Sequence, residues 1–218
     1  MSLAIFDLDN TLIGGDSDVL WGQFLVERQL VDPAWYQQKN HQYYLDYKNG
    51  TLDIQEYLLF ALEPLSRFSM EALEKLHLEF IDEKIRPILL PKAYTLIDEH
   101  KSQGDELLII TATNSFITRP IATLLGIKNI LASEAEIEDG RYTGRSSGTP
   151  CFQHGKITRL KKWLIGKPHA VAKASFYSDS INDLPLLLQV GKPFAVDPCA
   201  KLESYAQQHN IPIISLRN

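Results

Sequence analysis

Features that would assign this chain to a disulfide-rich, membrane or nucleic-acid-binding class are scarce. Of its 218 residues only Cys151 and Cys199 are cysteines, and neither has the neighbouring cysteines or histidines that a zinc site requires. No segment approaches the roughly 20 apolar residues of a membrane-spanning helix. The first residues also lack a basic region followed by an apolar run, which argues against a secretory signal. We therefore expect a cytoplasmic protein with free thiols and no membrane partner.

Positive charge is scarce as well. The chain has 22 Lys and Arg residues against 27 Asp and Glu, a formal net charge of −5. This balance offers no basic field to hold a phosphate backbone, so we do not expect nucleic acid as a partner. Hydrophobic residues make up 44% of the chain and charged residues 22%, the composition of an ordinary globular protein. The oligomeric state is left open by the sequence.

The apolar pattern predicts strands that alternate with helices. Leu3–Phe6 is a short apolar run ending at Asp7, and Leu107–Ile110 is a second run ending at Thr111, as buried strands do. Further strands are predicted at 129–132, 174–177, 194–196 and 212–216, and helices at 91–104, up to 125, and at 156–166, 182–190 and 202–208. This alternation indicates an α/β fold with a Rossmann-like parallel sheet covered on both faces.

Two segments depart from this alternation. Asp139-Gly140 predicts a hairpin turn. Residues 14–86 contain no convincing strand, and aromatic residues such as Trp21 and Phe24 recur there at spacings of three and four, which indicates helices. We interpret the segment as an inserted helical cap packed on itself. The predicted domains are a core of residues 1–13 and 87–218 and a cap of residues 14–86.

Polar residues stand where predicted strands end or helices begin. They form four separate groups along the chain: Asp7 with Asp9 and Thr11, then Thr111, then Lys156, and finally Asp179 with Asn182 and Asp183. The carboxyl ends of parallel strands open on one edge of a sheet, which is where such folds bind ligands. We therefore expect these groups to converge.

The chemistry that suits this set is phosphoryl transfer, which needs an in-line nucleophile and positive charge around anionic oxygens. As nucleophile, Asp7 would form an acyl-phosphate that water then cleaves, and Asp9 would act as general acid and base. Thr111 and Lys156 are candidates for binding phosphoryl oxygens. Mg²⁺ prefers oxygen ligands, for which Asp7 and Asp179 are the best side-chain candidates.

The four groups, in this order, resemble the four motifs of the haloacid dehalogenase-like (HAD) superfamily. The helical segment after the first motif resembles the cap of its phosphoserine phosphatase-like subgroup, which includes histidinol phosphatases. The resemblance implies that Asp7 is the phosphorylated nucleophile and Asp9 the acid/base. It also implies that Mg²⁺ is held by Asp7, the backbone carbonyl of Asp9 and Asp179, with support from Asp183. Thr111 and Lys156 would bind phosphate. Asn182 of the fourth motif is a further candidate for substrate binding.

The cap segment bears on the substrate. The subgroup carries a cap arginine that holds a substrate carboxylate, but the stretch Tyr57–Leu62 has no basic residue. Asp16 occupies the position of the acidic residue that meets a substrate amine. A small phosphorylated amino alcohol such as histidinol phosphate therefore fits at least as well as phosphoserine. The second and fourth motifs also depart from the subgroup: Thr111-Ala112 replaces Ser-Gly, and Ser178-Asp179-Ser180 replaces Gly-Asp-Gly.

Several alternatives stay open at this point. A phosphomutase or phosphotransferase would use the same aspartyl-phosphate, and a catalytically idle HAD fold would only bind. Asp16 and Asp18 could cap a helix, and Lys156, like the nearby Lys161 and Lys162, could be a solvated residue on a helix surface. Cap aromatics are expected to serve packing rather than substrate, namely Trp21, Trp35 and Tyr57.

Overall fold

The computed structural model describes residues 2–217. The strands are β1 (Leu3–Phe6), β2 (Glu106–Asn114), β3 (Asn129–Glu138), β4 (Arg141–Ser147), β5 (Ser175–Ser178), β6 (Lys192–Val196) and β7 (Ile213–Ile214). The α-helices are α1 (Ser17–Glu27), α2 (Pro33–Asn49), α3 (Ile54–Leu62), α4 (Met70–Phe80), α5 (Pro91–Ser102), α6 (Ser115–Leu124), α7 (His154–Trp163), α8 (Leu184–Leu187) and α9 (Ala200–His209). None of the helices within residues 2–217 is long and apolar enough to cross a membrane.

The strands of residues 2–217 form one seven-stranded sheet in the order β4-β3-β2-β1-β5-β6-β7. Neighbouring strands run parallel except for β3 and β4. The predicted α/β fold with a Rossmann-like parallel sheet is therefore confirmed. Because β1 lies between β2 and β5, Asp7 directly after β1 and Asp179 directly after β5 lie on neighbouring strands, beside the β2 strand that contains Thr111.

The predicted hairpin is confirmed between β3 and β4. Ile137 pairs with Tyr142 in an antiparallel register. Asp139 and Gly140 both have positive φ, 49° and 73°, which is the geometry of a two-residue type I′ turn and which Asp and Gly tolerate.

Alternate residues of the central strands face two different cores. On β1, Ala4 and Phe6 belong to one apolar cluster, while Leu3 and Ile5 belong to the cluster on the opposite face. This is the two-residue period of a strand. Because both faces of the strand are apolar, the sheet needs helices on both sides, as the continuous hydrophobic runs predicted.

The cap segment, residues 14–86, is helical because each helix has a capped start. Asp16, Asp32, Asp53 and Ser69 precede α1, α2, α3 and α4, and each side chain accepts a hydrogen bond from a backbone N–H of the first turn. Such caps satisfy N–H groups that have no partner within the helix. The division of the chain into core and cap domains stays a prediction.

The cap segment does not pack only on itself, which corrects that expectation. Trp21 of α1 is 1% exposed, and its ring centroid lies 5.1 Å from that of Phe80 and 5.3 Å from that of Phe116 in α6. Helical spacing identifies a buried face but not its partner, so the sequence could not distinguish packing within the cap from packing on the core.

The β3–β4 hairpin also supports the cap segment. Helix α3 and the turn Glu63–Arg67 lie against β4. The backbones approach so closely that a Cβ on Gly144 would lie 3.2 Å from the Cα of Glu63, and Gly144 has a φ of 79°. A side chain at this position would therefore disturb both the hairpin and the cap contact.

Two predicted elements are shorter in the structure. The helix expected at 182–190 consists of α8 alone, after a single 3₁₀ turn at Ile181–Asp183. Pro185 lacks an N–H, which suits the start of a helix but not its interior. The last predicted strand, 212–216, is reduced to β7.

Candidate active site

The four polar groups converge at one edge of the sheet, at the carboxyl ends of neighbouring strands. Asp7 follows β1 and its backbone N–H donates to the carbonyl of Tyr177 in β5 at 2.9 Å. Asp179 directly follows β5. Thr111 does not end its strand as predicted, since β2 continues to Asn114. The pairing of β2 with β3 is irregular between Ile110 and Asn114.

A buried ion pair lies at the base of the site. The Lys156 ammonium donates to the Asp7 carboxylate at 2.8 Å and to the Asp183 carboxylate at 2.7 Å. All three side chains are at most 10% exposed. Burial alone would lower the pKa of Lys156, but Asp183 and Asp7 raise it, so the ammonium stays charged. The structure therefore brings Lys156, rather than its exposed neighbours Lys161 and Lys162, into the site.

The carboxylates outnumber the cation that neutralises them. Burial raises the pKa of Asp7 to about 7, although Lys156 opposes this. Burial also raises the pKa of Asp179 well above its usual range, with further contributions from the charges of Asp7 and Asp183. Three carboxylates facing one ammonium leave an excess of negative charge that a divalent cation would balance.

Asp9 accepts hydrogen bonds from the cap segment and from the core. Its carboxylate accepts from the Ser17 backbone N–H at the start of α1 at 2.7 Å, and from the Thr113 hydroxyl at 2.9 Å. The Thr111 hydroxyl lies farther away, at 3.5 Å. Burial, followed by repulsion from Asp16, raises the pKa of Asp9 to about 6. Sequence reasoning missed Thr113 because the strand was expected to end at Thr111, whereas β2 continues to Asn114 and places both hydroxyls on the same side.

Asp183 and Asp179 are each positioned by a hydroxyl group. Ser178 donates to the Asp183 carboxylate at 2.7 Å. Thr11 donates to the Asp179 carboxylate at 3.3 Å and accepts from the Asp179 backbone N–H at 3.1 Å. Ser178 and Thr11 were recognised as motif residues but were given no role from the sequence. These bonds fix the loop after β5 against the loop after β1.

Asn182 contacts the cap segment. Its amide donates to the backbone carbonyl of Tyr47 at 3.0 Å, and its carbonyl oxygen accepts from Gln153 at 3.2 Å. The Tyr47 hydroxyl also donates to Ser180 at 2.9 Å. We call Tyr47, Ser180 and Asn182 the α2 latch, because they tie the end of α2 to the loop after β5. Contact of Asn182 with substrate stays a prediction.

Asp16 and Asp18 stand at the start of α1. The Asp16 carboxylate accepts from the backbone N–H groups of Asp18 and Val19 at 3.0 Å each, so the helix-capping alternative is correct for Asp16. Both carboxylates nevertheless line the cavity described below. Burial raises the pKa of Asp16 to about 6 and that of Asp18 to about 7, and Tyr57 partly opposes the second shift by hydrogen bonding.

These residues surround one cavity of about 800 Å³, open solvent at its mouth included. The core wall includes Asp7, Asp9, Thr111, Lys156, Asp179 and Asp183. The cap wall is acidic and aromatic, with Asp16, Asp18, Tyr43, Tyr44, Tyr47 and Tyr57. Among residues 2–217, the cap wall contributes no lysine or arginine.

Some aromatic residues of the cap segment pack against other side chains, and others line the cavity. Trp21 serves packing, as expected. Trp35 is 49% exposed, and it packs against Phe60. Tyr57 instead lines the cavity, which the helical spacing alone could not reveal because packing and lining residues share the inner face of α3.

The chain belongs to the haloacid dehalogenase-like hydrolase family, whose model matches residues 4–188. This confirms the family that the four motifs resembled. The match includes every residue of the core and cap walls named above.

Particular relatives extend over nearly the whole chain. A histidinol-phosphatase of Neisseria meningitidis serogroup C (strain 8013) is 47% identical over 220 residues, with 99% of both chains covered. A phosphoserine phosphatase of Mycobacterium tuberculosis is 31% identical over 217 residues, with 98% of this chain and 70% of that protein covered. A crystal structure from Bordetella pertussis Tohama I, of a protein of unknown function, has 40% identity and a TM-score of 0.92, covering 99% of this chain and 98% of that chain. The predicted enzyme class, a HAD-family phosphatase, is confirmed.

Proposed function

We propose that this phosphatase hydrolyses a small phosphomonoester of an amino alcohol or amino acid, with Asp7 as nucleophile and Mg²⁺ as cofactor. The observation that carries the proposal is the arrangement at the base of the cavity. Asp7 lies 2.8 Å from the buried Lys156 ammonium, and Asp9, two residues along, is a second carboxyl group with a raised pKa. A protein that only binds phosphate has no need of that second carboxyl group.

In the first step, a carboxylate oxygen of Asp7 attacks phosphorus and the bond from phosphorus to the leaving oxygen breaks. The raised pKa of Asp9, about 6, keeps a larger fraction of this carboxyl group protonated near neutral pH than in an ordinary aspartate, and the protonated form donates its proton to the leaving oxygen. Ser17 and Thr113 hold the Asp9 carboxyl in place. The Lys156 ammonium neutralises charge on the phosphoryl oxygens.

In the second step, the ionised Asp9 accepts a proton from water as the water oxygen attacks phosphorus. The bond from phosphorus to the Asp7 oxygen breaks, which releases inorganic phosphate and restores Asp7. Division of the hydrolysis into two displacements lets one carboxyl group serve first as acid and then as base.

The donor set suits Mg²⁺. Within residues 2–217, no three His, Cys, Asp or Glu side chains form a complete metal site by themselves. The side chains of Asp7 and Asp179 with the backbone carbonyl of Asp9 would hold the ion, and Asp183 would support them. Mg²⁺ accepts such a set because it retains several waters. When bound, the ion adds positive charge beside the phosphoryl oxygens.

The residues of the cap wall favour a substrate that has an amine and no carboxylate. Asp16 lines the cavity and can meet an ammonium group. Since the cap wall of the described chain offers no lysine or arginine, a substrate carboxylate would lack a partner there. The named activity of the Neisseria relative agrees with this chemistry, so we favour histidinol phosphate over phosphoserine. Residues 14–86 would act as the cap that closes over the substrate.

The test is phosphate release from histidinol phosphate, O-phosphoserine and common sugar phosphates, with Mg²⁺ and with EDTA. We expect one amino-alcohol phosphate to be preferred, and activity to disappear with EDTA and in Asp7→Asn. Substantial turnover by a folded Asp7→Asn variant would exclude Asp7 as nucleophile. Transfer of the phosphoryl group to product without release of phosphate would instead indicate a mutase.

A further inference from the structure

The cap wall contains a carboxylate, Asp18, that the proposed chemistry does not use. Asp18 lies in the first turn of α1, lines the cavity and is only 8% exposed. Within residues 2–217, no ion pair joins it to a lysine, arginine or histidine. A buried carboxylate without a cationic partner costs free energy, because the protein has replaced the water that would solvate it. A ligand N–H group would therefore be bound favourably here.

Tyr57 of α3 adds an aromatic surface beside this carboxylate. Tyr57 lines the same cavity as Asp18, and its hydroxyl partly opposes the rise that burial causes in the pKa of Asp18. The ring packs edge-on against Tyr43, with centroids 5.3 Å apart and an interplanar angle of 71°. A carboxylate in a cavity that aromatic side chains also line suits a flat ring with an N–H group, since the ring packs while its nitrogen donates.

We propose that Asp18 and Tyr57 determine substrate specificity by binding a nitrogen-bearing ring on the leaving group, with Asp18 accepting the ring N–H. The inference rests on the proposed function, because it concerns the leaving group of the same phosphomonoester. Asp16 then meets the ammonium, so the preferred leaving group has two nitrogen functions and no carboxylate. The paired negative charges of Asp16 and Asp18 also disfavour a carboxylated leaving group.

The experiment compares two esters of similar size, histidinol phosphate and phenylalaninol phosphate, which differ in the ring nitrogens. We expect Asp18→Asn to lower kcat/KM for histidinol phosphate by about ten- to hundredfold, as for the loss of one hydrogen bond to a charged group. The loss for phenylalaninol phosphate should be much smaller. Tyr57→Phe should also reduce the preference for histidinol phosphate over phenylalaninol phosphate, but by less than Asp18→Asn does.

Glu56→Gln is the matched control. Glu56 directly precedes Tyr57, is exposed and lies outside the cavity, so this variant removes one negative charge from the same region without changing the wall. It should retain the wild-type preference. An equal loss for both esters in Asp18→Asn, or the same selective loss in Glu56→Gln, would overturn the inference.

Binding of histidinol and phenylalaninol, measured by calorimetry, gives a second readout that does not require turnover. Wild type should bind histidinol more tightly, and folded Asp18→Asn should lose that preference; retention of it would also overturn the inference. If wild type releases phosphate from no ester, the proposed function fails and the inference with it. If phosphate release depends on Asp7 but the preference is independent of Asp18, only the inference fails.

Discussion

The core wall and the cap wall of the cavity are both acidic, but their carboxylates have different partners. In the core wall, the carboxylates of Asp7 and Asp183 share one buried ammonium at 2.8 and 2.7 Å. In the cap wall, Asp16 accepts hydrogen bonds from two backbone N–H groups, and Asp18 is buried with no ion pair recorded within residues 2–217. The core wall thus contains a buried cation beside its carboxylates, whereas the cap wall formed by the described residues contains no lysine or arginine. We infer that the first performs the chemistry and the second selects the leaving group.

The largest effect should come from removal of the core-wall cation. Lys156→Met leaves Asp7 and Asp183 buried without their ammonium, and we expect kcat to fall by about 10²–10³-fold. The free energy of unfolding should also fall, by about 3–5 kcal/mol, as when one partner of a buried pair is removed. Phosphate release and urea unfolding would measure the two effects.

Lys161→Met is the control for this change, because Lys161 lies on the same helix α7 but is exposed. It should retain activity and stability. An equal loss of activity in the Lys161 variant would remove Lys156 from the site and with it the contrast between the walls.

The second effect is a pH dependence of the free energy of unfolding, caused by Asp18 in the cap wall. The pKa of an aspartate is usually about 3.9, whereas burial raises that of Asp18 to about 7. Because folding favours the protonated form, the stability that Asp18 contributes is fully present below about pH 4 and is lost as pH rises to about 7. Asp18→Asn should therefore be more stable than wild type at pH 8, by up to about 4 kcal/mol, and nearly equal to it at pH 4.

Urea unfolding of the metal-free protein at pH 4 and pH 8 tests this sign, with Glu56→Gln as an exposed control. If the Asp18 variant gained no stability at pH 8, the cap wall would not hold a strained carboxylate. A gain in stability together with a loss of substrate preference would identify Asp18 as a residue kept for function.

The smallest effect should come from the α2 latch, where the walls meet. Tyr47→Phe keeps the ring beside Phe152 but removes the hydroxyl that donates to Ser180 at 2.9 Å. We expect kcat/KM to fall by about two- to tenfold, the usual value of one neutral hydrogen bond. Tyr205→Phe, in α9 and outside the cavity, is the control, and an equal decrease there would show that the latch does not couple the walls.

The sequence predicted the core wall well because its residues lie beside local signals. Asp7 follows a short apolar strand, and the fourth group, including Asp179, follows another. Adjacent parallel strands then bring them together. Thr113 and Tyr47 could not be found in this way. The first lies beyond the predicted end of its strand, and the second depends on where a cap helix ends relative to a distant loop.

By itself the sequence determined the α/β alternation, the Asp139-Gly140 hairpin and the placement of polar groups at the ends of strands, because these depend on local periodicity and turn chemistry. Only the tertiary structure decided which faces of the cap helices meet the core, how Asn182 is engaged, and that Asp18 and Tyr57 share the cavity. A helical pattern specifies that a face is buried, but hydrophobic burial is not directional. The partners of that face therefore depend on how the whole chain packs.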